Sequence, residues 1–111
     1  MAKIYHRGGG EITRVEAIAH KTYEGVAEWF FIGDVAWRDG GHSLAIGIAP
    51  TSICYDGDEP DAAEAQARIN ELLSKLNAYL EANGTWHEDK RKRDGRVYRW
   101  TPHKPADTLK L

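Results

Sequence analysis

Basic and aromatic side chains are concentrated near the C-terminal end of the sequence. Between Trp86 and Thr101 there are six lysines or arginines: Lys90, Arg91, Lys92, Arg93, Arg96 and Arg99. The same stretch contains three large aromatic residues, Trp86, Tyr98 and Trp100. Cations neutralise nucleic-acid phosphates and release counterions, and aromatic rings stack on unpaired bases. The pattern is therefore typical of a β-hairpin that binds nucleic acid.

A structural role explains the same residues without any ligand. The aromatic side chains would then face a helix as part of the core, and the basic residues would form a solvated turn. The isoelectric point of the chain is about 6.2, whereas dedicated nucleic-acid-binding domains often exceed a value of about 9. Nucleic acid is therefore the second candidate partner rather than the first.

The far face of the central predicted strand is a second candidate site. Alternate residues of the segment 26–38 form one strongly apolar face that should belong to the core. The opposite face carries Phe30 and Ile32, which Ile18 or Leu44 could join. A strand that is apolar on both faces is usually covered on both sides, and one helix covers only one side. These four residues form the predicted protein interface, unless the tail or a hairpin turn folds over them.

No arrangement of residues predicts catalysis or a metal site. The five histidines are scattered along the chain: His6, His20, His42, His87 and His103. The sequence has no HExxH or CxxC motif, so a zinc site would need a coincidence of tertiary placement. A small enzyme that uses His20 or His87 in a cleft is the least favoured function. We expect no catalytic residues, no metal and no cofactor.

Two local patterns imitate functional motifs. The acidic run 56–61 resembles the start of a calcium loop, but proline stands at its fifth position and Asp61 at the sixth, where glycine is needed. Helix capping explains this run better. Cys54 could pair with a histidine as a nucleophile, but its neighbours Ile53 and Tyr55 are apolar and indicate a small buried filler.

Alternation of polar and apolar residues predicts three strands in the first half of the chain. They cover residues 11–23, 26–38 and 42–49. Between the second and third strands, Asp39-Gly40 favours a tight hairpin turn because these residues accept a positive φ. Pro50 ends the third strand, since proline cannot donate a hydrogen bond to a β-ladder.

The second half of the chain predicts a helix followed by another hairpin. An apolar stripe at three- and four-residue spacing indicates a long amphipathic helix over about 60–83, closed by Asn83-Gly84 as a cap. The hairpin strands are expected at residues 85–89 and 96–101, and the hairpin is expected to extend the sheet. Residues 102–111 are rich in proline and are expected to form an irregular tail.

Length and composition limit the class of protein. The 111 residues, of which 41% are hydrophobic, are enough for one α+β domain over residues 1–111. We expect an antiparallel sheet of three to four strands with the helix packed across it. No apolar run approaches the ~20 residues of a membrane span, and the N-terminus lacks the apolar stretch of a secretory signal. A single cysteine excludes an internal disulfide, so we expect a cytoplasmic protein without a membrane partner.

The net charge of −2 conceals an uneven distribution. Residues 1–59 carry a charge of −4, residues 60–83 carry −2, and residues 84–111 carry +4. Such a separation of charge along the chain bears on which partners the protein attracts rather than on its fold. Together these patterns predict a small non-enzymatic binding or accessory protein that acts through protein contacts, by self-association as a homodimer or by inhibition or regulation of a partner. A nucleic-acid-binding module is the alternative.

Overall fold

Two long strands form the centre of the sheet in a computed structural model that describes residues 2–89 and 98–111. Strand β2 spans Gly10–Tyr23 and β3 spans Val26–Trp37, and the two pair along almost their whole length. The remaining elements are β1 (Ile4–His6), β4 (His42–Ile48), a 3-10 turn (Pro50–Ser52), β5 (Ile53–Cys54), α1 (Ala62–Asn83), β6 (Gly84–Glu88), β7 (Tyr98–Pro102) and β8 (Ala106–Lys110).

The main sheet is antiparallel, with the order β4-β3-β2-β1-β5, and β8 also pairs with β2. Strands β1 and β8 share the outer edge of β2, because β1 pairs with residues 10–12 and β8 pairs with residues 17–21. The predicted α+β class, with one helix on an antiparallel sheet, is confirmed. The sheet has six strands rather than three or four, because β1 and β8 gain strand structure by pairing with β2, and β5 gains it by pairing with β1.

Helix α1 covers one face of the sheet, and the core lies between them. Its buried residues are Ala65, Ile69, Leu76, Tyr79 and Leu80. The sheet contributes Ile12, Ile18, Phe31, Val35 and Ile48, each no more than 1% exposed. The predicted apolar stripe of the helix is confirmed, although the helix begins at Ala62 rather than near residue 60.

Two irregularities in β2 change which residues face the helix. The pairing with β3 shifts between Ile12 and Arg14 and again between Val15 and Ala17. Each shift inserts one residue and so reverses the alternation. Alternation placed Val15 opposite Ile12, but Val15 packs against the same core as Ile12. Arg14 and Ala17 instead lie on the face that α1 leaves uncovered.

The C-terminal hairpin of β6 and β7 is a separate two-stranded sheet. Trp100 on β7 is 4% exposed, and its indole N–H donates a hydrogen bond to the carbonyl oxygen of Leu80 at 2.9 Å. The ring of Trp100 also meets Trp29 edge-on, with 5.6 Å between centroids. The predicted hairpin is confirmed, but the expectation that it extends the main sheet is wrong, because Trp100 holds it against the end of α1.

Gly84 permits this close packing of the hairpin. The residue was expected to act as part of a helix cap, but it has an extended backbone, with φ of −167°, and begins β6. A Cβ atom at this position would overlap the indole ring of Trp100. The glycine is therefore required by the space that Trp100 occupies and not by a left-handed conformation.

We predict that Gly84→Ala lowers the free energy of unfolding by about 1–3 kcal/mol, because overpacking forces the surrounding side chains away from their preferred positions. Urea denaturation measures the change. Gly57→Ala is the matched control, since a Cβ at Gly57 meets no atom within 4 Å. A Gly84→Ala variant as stable as the Gly57→Ala variant would contradict the position of Trp100.

The end of the chain is ordered, which corrects the expectation of an irregular tail for residues 102–111. Residues 106–110 form β8 and pair with β2. The carbonyl oxygen of Pro105 accepts a hydrogen bond from the N–H of Thr22 at 2.8 Å, and the N–H of Leu111 donates to Glu16 at 2.9 Å. Both prolines of this segment precede the strand, so neither removes a hydrogen bond from its ladder.

Candidate functional site

The sheet has one face that α1 leaves uncovered, and we call it the open face. Alternation along β3 places Phe30 and Ile32 on this face, opposite the buried Phe31. The cross-strand register then defines its centre as Ala17, Ala19, Phe30, Ile32 and, on β8, Thr108 and Lys110. Four strands therefore contribute to one continuous surface, since β4 also borders β3.

The residues that β2 and β3 contribute to the centre of the open face are apolar, and Thr108 and Lys110 lie beside them on β8. Ala17 and Ala19 are each 4% exposed although no helix lies over them. Phe30 and Ile32 keep part of their side chains exposed. On β4, a Cβ atom at Gly47 would lie 3.3 Å from the Phe30 ring, so the ring lies directly over that glycine. Small residues therefore lie beneath and beside the two larger apolar side chains.

Charged side chains of both signs surround the apolar centre. Lys21 pairs across the strands with Glu28, and its Nζ lies 5.8 Å from the centroid of an aromatic ring on the open face. At the other end of the face, Arg14 forms ion pairs with Glu16 and, at 3.8 Å, with Asp34. Because opposite charges are close to one another, the surface has little net field to repel a copy of itself.

Two exposed residues at the tip of the β2–β3 hairpin lengthen the open face. Tyr23 is 71% exposed and Val26 is 59% exposed, and they pair with each other across the turn. Alternation places them on the same face as Lys21 and Glu28. Neither residue belongs to the predicted protein interface, although the same alternation, continued to the turn, places both on this face.

The structure separates the residues predicted for the protein interface. Ile18 is fully buried and pairs with Phe31 beneath α1, so its assignment to the second apolar face is wrong. The register of β2 against β3 decides which face Ile18 occupies, and this register cannot be derived from the local sequence pattern. Leu44 is 73% exposed and lies where the pairing of β3 with β4 shifts, next to Ala45 with a φ of 50°. The roles of Phe30, Ile32 and Leu44 in binding stay predictions.

Most of the predicted nucleic-acid-binding residues lie outside the described residues: Lys90, Arg91, Lys92, Arg93 and Arg96. Arg99 is described, and it donates a hydrogen bond to the carbonyl oxygen of Gly25 at 3.2 Å. The aromatic residues of the hairpin have different environments. Trp100 is in the core, whereas Trp86 and Tyr98 are 43% and 57% exposed.

His20 is enclosed in the core rather than placed in a cleft. It is 2% exposed. Its Nε2 lies 3.0 Å from the carbonyl oxygen of Lys104 and carries a proton, since a carbonyl only accepts. Its Nδ1 lies 2.5 Å from the hydroxyl oxygen of Tyr79, and that hydroxyl donates to the carbonyl oxygen of Asp107 at 3.1 Å. These contacts tie α1 and β2 to the segment that leads into β8.

Two tyrosines have pKa values raised from 10.0 to about 12 by their surroundings. For Tyr5 the main cause is the hydrogen bond to Glu59, with 2.5 Å between the oxygens. For Tyr79 the main cause is burial, followed by the negative charge of Asp107. Because the folded pKa exceeds the unfolded one, each contribution to stability is complete below pH ~10 and is lost as the pH rises to about 12.

We predict that a titration followed by tyrosinate absorbance contains two groups ionising near pH 12, while circular dichroism confirms that the chain is still folded. Tyr5→Phe and Tyr79→Phe should each remove one of them. The Glu59→Gln variant should lower the pKa of Tyr5 only, because it removes the carboxylate and leaves Tyr79 untouched. Ionisation of both tyrosines near pH 10 in the folded chain would contradict these contacts.

Cys54 and the acidic run have local structural partners. The thiol of Cys54 donates to the carbonyl oxygen of Tyr5 at 3.6 Å. His6 pairs with Ile53, so it lies on the other face of the strands from Cys54. Ahead of α1, the N–H of Asp58 donates to a carboxylate oxygen of Asp56 at 2.9 Å. Within residues 2–89 and 98–111, no three His, Cys, Asp or Glu side chains are grouped so that they could hold a metal ion.

Comparisons with known proteins do not assign the chain to a family. No family model, curated protein or solved structure matches it. In the part of the chain that the structure describes, no helix has the length and apolar character needed to cross a membrane. Function is therefore inferred from the open face and from the residues around it.

Proposed function

We propose that this protein is a non-enzymatic binding module that acts through protein contacts, and that its open face binds the open face of a second copy of the chain. The observation that carries this proposal is that β3 is apolar on both faces while α1 covers only one of them. Strands with two apolar faces are usually covered on both sides. A second sheet supplies the missing cover by face-to-face packing at about 10 Å.

The size of the open face supports a specific interface. The 12 residues of β3, at about 3.3 Å per residue, extend over about 40 Å, and four strands are about 19 Å wide. Because the outer strands are shorter than β3, the surface covers about 600 Å². A stable interface buries about 800 Å² per partner, so the open face, which includes the exposed Tyr23 and Val26 at its tip, supplies most of that area.

The charges of the open face favour a second copy over a strongly charged partner. Around the apolar centre, Lys21 and Arg14 lie beside Glu28, Glu16 and Asp34. A surface of mixed sign can meet its own copy in an isologous contact, in which each cation can approach an anion of the partner. A surface of one sign would repel its copy.

The surroundings of the chemically reactive side chains support a role without catalysis. His20 is enclosed and bonded on both ring nitrogens, and the Cys54 thiol is bonded to a backbone carbonyl. A free, half-buried cysteine also agrees with action in a reducing compartment such as the cytoplasm.

Sedimentation equilibrium over a range of protein concentration tests the proposal. We expect the mass to rise from the 12.5 kDa of the chain toward twice that value as the concentration increases from low to high micromolar. A mass that stays at that of one chain throughout this range would overturn self-association and leave a different protein as the occupant of the open face.

A further inference from the structure

A cleft lies at the end of the sheet that is farthest from the N-terminal strand β1, next to the tip of the β2–β3 hairpin. Its volume is about 370 Å³. One wall consists of Thr22, Gly25 and Ala27, and the other consists of the continuous segment Arg99, Trp100, Thr101, Pro102, His103, Lys104 and Pro105. The cleft is distinct from the open face, because the hairpin of β6 and β7 lies on the helix side of the main sheet.

The groups that line this cleft suit an anion. Arg99 and Lys104 are basic residues, and the hydroxyl of Thr22 is a further hydrogen-bonding group. The hydroxyl of Thr101 lies 3.5 Å from Nε2 of His87, and Nε2 of His103 lies 3.4 Å from the hydroxyl of Thr85. None of the lining residues is acidic. Among the described residues, neither Arg99 nor Lys104 forms an ion pair with a carboxylate. The two cations are therefore available to a ligand.

The backbone that carries the two cations is held in place. The Arg99 guanidinium donates one hydrogen bond to Gly25 at 3.2 Å, and no other acceptor among the described residues takes a hydrogen bond from it. The carbonyl of Lys104 accepts from the buried His20, and the neighbouring Pro105 carbonyl accepts from Thr22. A site whose groups are fixed before binding loses less entropy when the ligand arrives.

The ligand class follows from charge and size. The guanidinium of Arg99, the ammonium of Lys104 and the hydroxyl of Thr22 are donors of the kind that bind the oxygens of a phosphate group. A cleft of about 370 Å³ falls at the lower end of the volumes of small-molecule sites.

We propose that this cleft binds a phosphate group that belongs to a nucleotide or to a nucleic-acid strand. Trp100 lines the cleft and contacts Trp29, which in turn contacts Trp86. This tryptophan cluster gives a fluorescence signal for binding.

The experiment titrates the protein at low salt with inorganic phosphate, adenosine monophosphate, adenosine and a single-stranded oligonucleotide. We expect saturable fluorescence changes with the phosphate-bearing ligands and none with adenosine. Saturation by the mononucleotide identifies a free nucleotide as a sufficient ligand, whereas binding of the oligonucleotide alone identifies the strand. No change with any ligand at low salt would overturn the proposal, since electrostatic attraction is strongest there.

Two variants and a matched control locate the site. Arg99→Gln and Lys104→Gln should each weaken binding about tenfold, because each removes a charge-assisted contact to phosphate. With the oligonucleotide, each should also reduce the salt dependence of the affinity by about one counterion. Lys75→Gln on the exposed face of α1 removes the same charge elsewhere and should leave binding unchanged. Equal affinities of all three variants would overturn the assignment to this cleft.

The Lys104→Gln variant separates an effect on binding from an effect on folding. The contact of Lys104 with the core uses its backbone carbonyl, so the substitution retains it, whereas Arg99→Gln also removes the hydrogen bond to Gly25. Thermal unfolding of each variant gives the comparison. A Lys104→Gln variant that unfolds like the wild type but binds more weakly supports the proposal, and one that binds as well as the wild type counts against it.

Discussion

An aspartate in place of Ile32 should weaken self-association about a hundredfold while the chain stays folded. Ile32 lies at the centre of the open face and keeps part of its side chain in water in the monomer. In the dimer a carboxylate at this position would be buried without a partner, and truncation of a central interface residue alone costs at least about 2 kcal/mol. In the monomer the same carboxylate stays hydrated, so the expected loss of folding stability is about 1 kcal/mol or less.

Two isoleucines on neighbouring strands make this test specific. Ile18 faces the core and Ile32 faces away from it, although the two lie on adjacent strands. Ile18→Ala should lower the free energy of unfolding by about 2–5 kcal/mol, while Ile32→Ala should leave it nearly unchanged and weaken association. Leu109→Asp is the control for association, since Leu109 is 47% exposed and pairs with the core-facing Ile18. Loss of association in Leu109→Asp but not in Ile32→Asp would contradict the choice of face.

Replacing Trp100 by alanine should lower the free energy of unfolding by about 3–5 kcal/mol. The indole is 4% exposed and joins three parts of the fold. It bonds to the last turn of α1 through Leu80, contacts β3 through Trp29 at 5.6 Å, and contacts β2 through His20 at 5.1 Å. Because β6 and β7 pair only with each other, these contacts hold the hairpin on the rest of the molecule.

Trp100→Phe distinguishes the hydrogen bond of Trp100 from its packing. Phenylalanine keeps an aromatic ring against Trp29 and removes the N–H that donates to Leu80, so we expect a smaller loss than in Trp100→Ala. Urea denaturation gives the two stabilities, and amide hydrogen exchange of residues 84–88 reports whether the hairpin has separated from α1. Native stability and unchanged exchange in Trp100→Ala would contradict the anchoring role of this residue.

The strongest periodicities in the sequence predict the central elements of the fold. The apolar stripe from Ala65 to Leu80 fixes the helix, because a face with 3.6-residue period must be buried along its length. The alternation in β3 separates Phe30 from Phe31 correctly for the same reason, with a period of two. The position of Phe30 on the uncovered face of β3 was therefore predictable from the local sequence pattern alone.

Features that depend on pairing between distant segments were not predictable. The position of Ile18 in the core follows from its register with Phe31, and the two bulges of β2 place Val15 beside it in spite of alternation. Strand β8 has an ordinary, short sequence, and it is a strand because β2 offers an unpaired edge. From the sequence, Gly84 is interpreted as a helix cap. A glycine is required there because the indole of Trp100, sixteen residues away, occupies the space of a Cβ atom.

Hydroxyl-radical footprinting at increasing protein concentration tests most directly whether the open face is the interface. The rate of oxidation of Phe30 reports on the centre of that face, and Tyr98, which is 57% exposed on the separate hairpin, is the internal control. Self-association through the open face predicts that the rate for Phe30 falls several-fold as the concentration rises, while the rate for Tyr98 stays constant. A constant rate for Phe30 over a range in which the mass doubles would contradict the assignment of the interface to this face.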